Sequence, residues 1–103
     1  MKKRLWTMTE VMEIYRVDEP FMLQLEEEEI LWPVRRKGSS DRFYSDRDLE
    51  SLRLAKILME EMGVNMEGVE IILRMRESMF QMRAQFDDIL EDLARQLRER
   101  FPG

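Results

Sequence analysis

Cysteine and histidine are both missing from this chain of 103 residues. Their absence removes thiol nucleophiles, disulfides, thiolate or imidazole metal sites and histidine acid–base chemistry. Carboxylates alone still bind hard cations, yet no Asp-rich calcium loop or other ligand spacing is present. Glycine is also sparse: Gly38, Gly63, Gly68 and Gly103 lie scattered, so there is no Gly-rich phosphate loop. The reading is therefore of a non-enzymatic protein that needs no cofactor. After Lys2, Lys3 and Arg4 no apolar run of secretory length follows, and no stretch is apolar enough to span a membrane. A soluble, cytoplasmic protein is the expectation.

What is present is charge. Asp, Glu, Lys and Arg make up 38% of the chain and the net charge is −5. That composition suits a solvated helical protein and is unfavourable overall for nucleic acid. The length accommodates one ordinary domain.

The pattern predicts four helices and a hairpin. Thr7-Met8-Thr9-Glu10 has the form of a capping box, in which hydroxyl and carboxylate satisfy the free N–H groups of a first helix. Val11, Ile14 and Tyr15 follow at one-turn spacing and are expected to share its inward face. Asp18 is placed to cap a second helix, with Pro20 tolerated in its first turn. Phe21, Leu25 and Glu28 keep the helical period, and the helix is expected to end before Ile30-Leu31-Trp32-Pro33.

Val34-Arg35-Arg36 and Arg42-Phe43-Tyr44 flank a polar, Gly-containing stretch from Lys37 to Asp41, which reads as a hairpin. Ser45-Asp46-Arg47-Asp48 then caps a third helix carrying Leu49, Leu52, Ala55, Leu58, Met59 and Met62, with Gly63 as its stop. Asn65 caps the last helix, which runs without a breaker from Met66 towards Phe101. Two short helices, a hairpin and another helix follow the order of a winged helix-turn-helix unit. The expected division is residues 1–65 for that module and 66–103 for the C-terminal helix.

A helix of that length extends roughly 50 Å, more than so small a domain requires. Its apolar stripe continues throughout, with Ile72, Met75, Met79, Met82, Phe86, Ile89 and Leu93 alternating by three and four. Such a seam needs cover, either from its own domain or from a second chain. Fold-back requires a turn, and none is visible between Gly68 and Pro102. Met75, Met79, Met82, Phe86, Ile89 and Leu93 are thus expected at a homodimer interface. Its direction and register are left open by the spacing, because Met packs adaptably.

Three segments in order carry a family resemblance. Trp6-Thr7-Met8-Thr9-Glu10-Val11 resembles the opening of MerR-type winged-helix proteins, and Arg42 to Leu49 resembles their wing-to-helix junction. Gly63-Val64-Asn65-Met66-Glu67-Gly68-Val69, followed by Ile72, is similar to the subgroup holding the heat-shock repressor HspR and the chaperone-modulator CbpM family. The resemblance spans roughly residues 5 to 77. It implies a mainly α-helical fold, a winged helix-turn-helix with a small β-hairpin wing, and a dimer joined through the long C-terminal helices.

The subgroup's two functions are expected to diverge at the second helix. DNA-reading relatives carry a basic and aromatic run there, of the kind Thr-Leu-Arg-Tyr-Tyr. In the corresponding stretch of this chain, Phe21 to Glu29, Leu23 takes the arginine position, and Gln24 and Leu25 take the aromatic pair. Arg16 stands where the preceding turn usually has glycine. From Met1 to Pro33 the basic residues are Lys2, Lys3, Arg4 and Arg16, against Glu10, Glu13, Asp18, Glu19 and Glu26 to Glu29. DNA affinity rests on basic groups displacing counterions from phosphates, and an acidic helix is repelled instead. The basic residues Arg35, Arg36, Lys37 and Arg42 fall on the expected wing. They would touch a DNA backbone in the regulator reading and form a solvated hairpin otherwise.

The resemblance then favours a CbpM-like chaperone modulator, which binds the J-domain of a DnaJ/CbpA-like co-chaperone and restrains its stimulation of DnaK. Glu26 and Glu29 would meet the basic J-domain helix, while Phe21, Leu25 and Trp32 supply apolar anchors. For Trp32 the alternative is a place in the core beside Pro33. The competing functions are a MerR/HspR-type DNA-binding regulator and a purely structural dimerisation module.

Overall fold

A computed structural model describes residues 5–38 and 40–101. Lys2, Lys3, Arg4, Ser39, Pro102 and Gly103 lie outside the described residues. The elements run β1 (Leu5–Thr7), α1 (Met8–Tyr15), α2 (Glu19–Glu27), β2 (Val34–Arg35), β3 (Arg42–Ser45), α3 (Asp46–Glu60) and α4 (Met66–Arg100). The fold is mainly helical, with a small antiparallel sheet of order β1-β3-β2.

Each helix starts where its capping chemistry predicts. At α1 the Glu10 N–H donates to Thr7 Oγ1 (3.2 Å) and the Thr7 N–H to Glu10 Oε1 (3.0 Å), a reciprocal box. Arg16 ends the helix in the left-handed conformation, at φ 54° and ψ 52°. An arginine therefore adopts the backbone that glycine takes at lower cost, and the turn into α2 is made despite it. Asp18 accepts the Phe21 N–H at 3.0 Å to open α2, with Pro20 in the first turn.

Helix α2 closes at Glu27. Glu29 then turns left-handed at φ 58°, and the Ile30 N–H returns to the Leu25 carbonyl at 2.9 Å. This turn sends Ile30 and Leu31 into the core.

The hairpin forms in the register Val34↔Phe43 and Arg35↔Arg42. Strand β1 was not legible in the sequence; it adds to the other edge of β3, with Trp6 opposite Tyr44. Ser45 and Asp48 form a second capping box at α3. Gly63, at φ 68°, takes the chain out of that helix. At the start of α4 the Gly68 N–H donates to Asn65 Oδ1 at 2.8 Å. A Cβ on Gly68 would approach Val64 Cγ1 to 2.7 Å, so a side chain here would force Val64 to shift.

The structure divides into two units, one reaching to Glu70 and the other starting at Ile71. All the buried apolar residues belong to the first: Val11, Met22, Leu25, Ile30, Leu31, Tyr44, Leu49, Leu52, Ala55 and Val69. Burying an aliphatic side chain of this size contributes about 1.5–3 kcal/mol. Two inward assignments are corrected. Ile14 is exposed on α1, because Val11 alone of its apolar residues is fully buried, and Met62 is exposed past the end of α3. In the second unit α4 continues to Arg100 with its apolar residues exposed apart from half-buried Leu73 and Ala94.

Candidate functional site

Helix α2 presents Glu19, Pro20, Leu23, Gln24 and Glu27 to solvent. Glu19, Leu23 and Glu27 are successive members of a four-residue spacing and form one stripe. The helix contains no basic residue at all. Leu23 is exposed and offers no donor to a base or phosphate.

Two residues expected on the partner-binding face, Leu25 and Glu26, are turned inward, and a third, Glu29, is not on the helix. Leu25 is fully buried, since it lies on the opposite side of α2 together with Met22. Glu26 is turned onto the sheet. Its Oε1 lies 3.4 Å from Arg42 Nε, and its side chain is only 14% exposed. The Tyr44 hydroxyl donates to its other oxygen at 3.3 Å. Glu29 lies past the helix end, in the left-handed turn, so it is not a neighbour of Glu26 on one helical surface. It is exposed, whereas Phe21 is half-buried.

The Tyr44 phenol is held well above its ordinary ionisation range. Burial is the largest cause, followed by the negative charge of Glu26 and the hydrogen bond to it. Tyr44 consequently remains a neutral donor, and Glu26, Arg42 and Tyr44 join α2 to β3. These are positioning residues.

Trp32 is 66% exposed, which settles its alternatives against the core. Its backbone is nevertheless fixed: the Trp32 N–H donates to Asp48 Oδ1 at 2.9 Å. The other Asp48 oxygen accepts the Ser45 N–H at 3.1 Å. One buried carboxylate thus caps α3 and anchors the segment that displays the indole. The Ser45-to-Asp48 spacing signals the cap, whereas the bond to Trp32 crosses 16 positions and leaves no sequence pattern.

On the wing, Arg35, Arg36 and Lys37 are exposed. The Arg36 guanidinium lies over the Phe43 ring, 4.8 Å from its centre, and stiffens the hairpin. Arg42 separates from this group because it is engaged by Glu26.

In the second unit Met75, Met79, Met82, Phe86, Ile89 and Leu93 are all exposed. At 100° per residue they fall within an arc of about 80°. Ile71 and Leu97 lengthen the stripe, Ile72 and Leu90 widen it by about 20°, and all four are exposed. Phe80 lies off it, where Arg76 sits over its ring at 4.5 Å.

Among the described residues no cluster of three or more potential ligands is placed to hold a metal ion. No described helix is long and apolar enough to cross a membrane.

Helices α1 and α2 joined by a tight turn, a β2–β3 wing and the helix after it define a winged helix-turn-helix. The family model for the MerR HTH family of regulatory proteins matches residues 6–90. This chain belongs to the MerR helix-turn-helix family. No match is found among curated proteins.

Proposed function

We propose that the chain is a homodimeric chaperone modulator of the CbpM kind, which binds the J-domain of a DnaJ/CbpA-like co-chaperone and restrains its stimulation of DnaK. The observation that carries this reading is the exposed face of α2, with Glu19 and Glu27 flanking Leu23 and no cation anywhere on the helix. A winged-helix protein whose reading helix is acidic is poorly matched to phosphate and well matched to a basic protein helix. The contact surface in this reading is Glu19, Leu23, Glu27 and Glu29, with Trp32 as the apolar anchor; Phe21, about 160° around α2 from Leu23, stands outside it. Leu25 and Glu26 have no part in it.

The dimer is supported by the exposed seam and by the distribution of charge along α4. Arg74, Arg76 and Arg83 fall in one segment with Glu77, while Asp87, Asp88, Glu91 and Asp92 follow without a cation among them. Antiparallel pairing sets the first segment against the second; parallel pairing sets the acidic segment against itself. We therefore favour the antiparallel arrangement. Replacing both Met82 and Phe86 with Glu should yield a monomer, read by sedimentation, because it buries unpaired charge in the seam.

The test of function is titration of the full chain with a purified J-domain of a DnaJ-like co-chaperone, followed by DnaK ATPase measurements. Saturable binding with loss of J-domain stimulation supports the proposal. Absence of binding at micromolar concentrations overturns it. A DNA-binding regulator is the second reading, favoured by the exposed basic wing and by the turn that Arg16 preserves. Footprinting upstream of the chain's own gene discriminates the two, since a protected palindrome at physiological salt would replace the modulator assignment.

A further inference from the structure

Resting on the dimer reading above, we propose that Met75, Met79 and Met82 make the seam a methionine-oxidation switch: a peroxide converts their thioethers to sulfoxides and separates the two chains. The three sulfurs belong to consecutive seam positions spaced by four and three residues. They lie within an arc of about 60° and along about 11 Å of helix. Among the described residues of the single chain they are largely exposed, at 60%, 66% and 65%.

The chemistry follows from what the chain lacks. A peroxide ordinarily reacts first with thiolates, and this chain has no cysteine. Thioethers are then the softest nucleophiles it offers. In the reaction a sulfur lone pair attacks one oxygen of hydrogen peroxide and the O–O bond breaks. An S–O bond forms, proton transfer releases the second oxygen as water, sulfur is oxidised and the peroxide is reduced. The product side chain is polar and carries a strong acceptor, for which an apolar seam provides no donor. Symmetry doubles the effect, because two chains bring six such sulfurs to one interface.

Pairing shields the sulfurs, so oxidation proceeds through the separated chain and traps it. The rate of sulfoxide formation at these three positions should fall as protein concentration rises. Met62 supplies an internal reference, being 67% exposed on the winged unit, and fully buried Met22 supplies the opposite one.

The experiment treats the full-length protein with hydrogen peroxide, assigns sulfoxides by peptide mass spectrometry and measures self-association by sedimentation. Oxidation at Met75, Met79 and Met82 should weaken dimerisation roughly a hundredfold. The variant with all three changed to Leu, a volume-conserving substitution, should stay dimeric under the same treatment. Methionine sulfoxide reductases with dithiothreitol should restore the native dimer, a readout that does not depend on the variant. A native chain already monomeric before oxidation would sink the dimer reading itself. A dimer that persists with all three sulfurs oxidised overturns the switch and leaves the dimer reading standing. Dissociation of the triple-Leu variant by peroxide, or sulfoxide formation at the seam that tracks Met62 at every protein concentration, also overturns it.

Discussion

Helices α3 and α4 carry the same kind of apolar periodicity and meet opposite fates. In α3, Leu49, Leu52 and Ala55 are buried against their own chain. In α4, Val69 in the first turn is buried and Leu73 half-buried, and the other large apolar residues from Ile71 onward are exposed. Periodicity therefore specifies which side of a helix is apolar, and it says nothing about what covers that side. The first helix has its apolar side buried; the second has its apolar side exposed.

The sharpest way to break this comparison is to shorten one leucine in each helix. Leu52→Ala should cost about 2–5 kcal/mol in a denaturant melt, because the site is fully enclosed and the change leaves a cavity. Leu93→Ala should leave the melt of the winged unit unchanged and weaken self-association only. Equal losses from the two would mean that α4 is covered within its own chain.

A second pair of changes separates acids that share a sequence run. Glu26→Lys faces Arg42 with a like charge and deprives Tyr44 of its acceptor, so it should destabilise the winged unit by about 2–4 kcal/mol. Glu29→Lys, in the exposed turn, should change stability by less than about 0.5 kcal/mol while slowing association with a basic partner. Circular dichroism melts and binding kinetics at two salt concentrations check both.

Arg16→Gly should raise stability by about 1 kcal/mol, since φ 54° strains any residue with a Cβ. A lower melting temperature would show that the arginine side chain contributes more than its backbone costs. The last effect concerns Tyr44 and appears only at alkaline pH. Its folded-state ionisation lies above the unfolded value of 10.0. Above that pH the unfolded chain releases a proton that the folded chain keeps, so stability should decline as pH rises beyond 10. Tyr44→Phe should flatten this alkaline slope, measured by denaturant melts against the native protein.

The fold's punctuation was legible because it is local chemistry. Thr7 with Glu10, Asp18, Ser45 with Asp48, and Asn65 each satisfy backbone groups within one helical turn. The candidate surface was legible in its sign, as an acidic second helix, but not in its members. Residues 26 to 29 are identical glutamates in sequence, yet Glu26 is engaged by β3 and Glu29 sits in a turn.

Residue type and spacing alone determined the helix starts, the wing, the lack of cysteine and histidine chemistry and the continuous seam. These depend on contacts within a few positions or on composition. Tertiary structure decided the rest: Leu25 to the core, Glu26 to Arg42 and Tyr44, β1 to the edge of β3, and Trp32 outward on a backbone tied to Asp48. Each of those outcomes depends on groups distant in the chain, and local propensity is blind to them until the sheet and helices have packed.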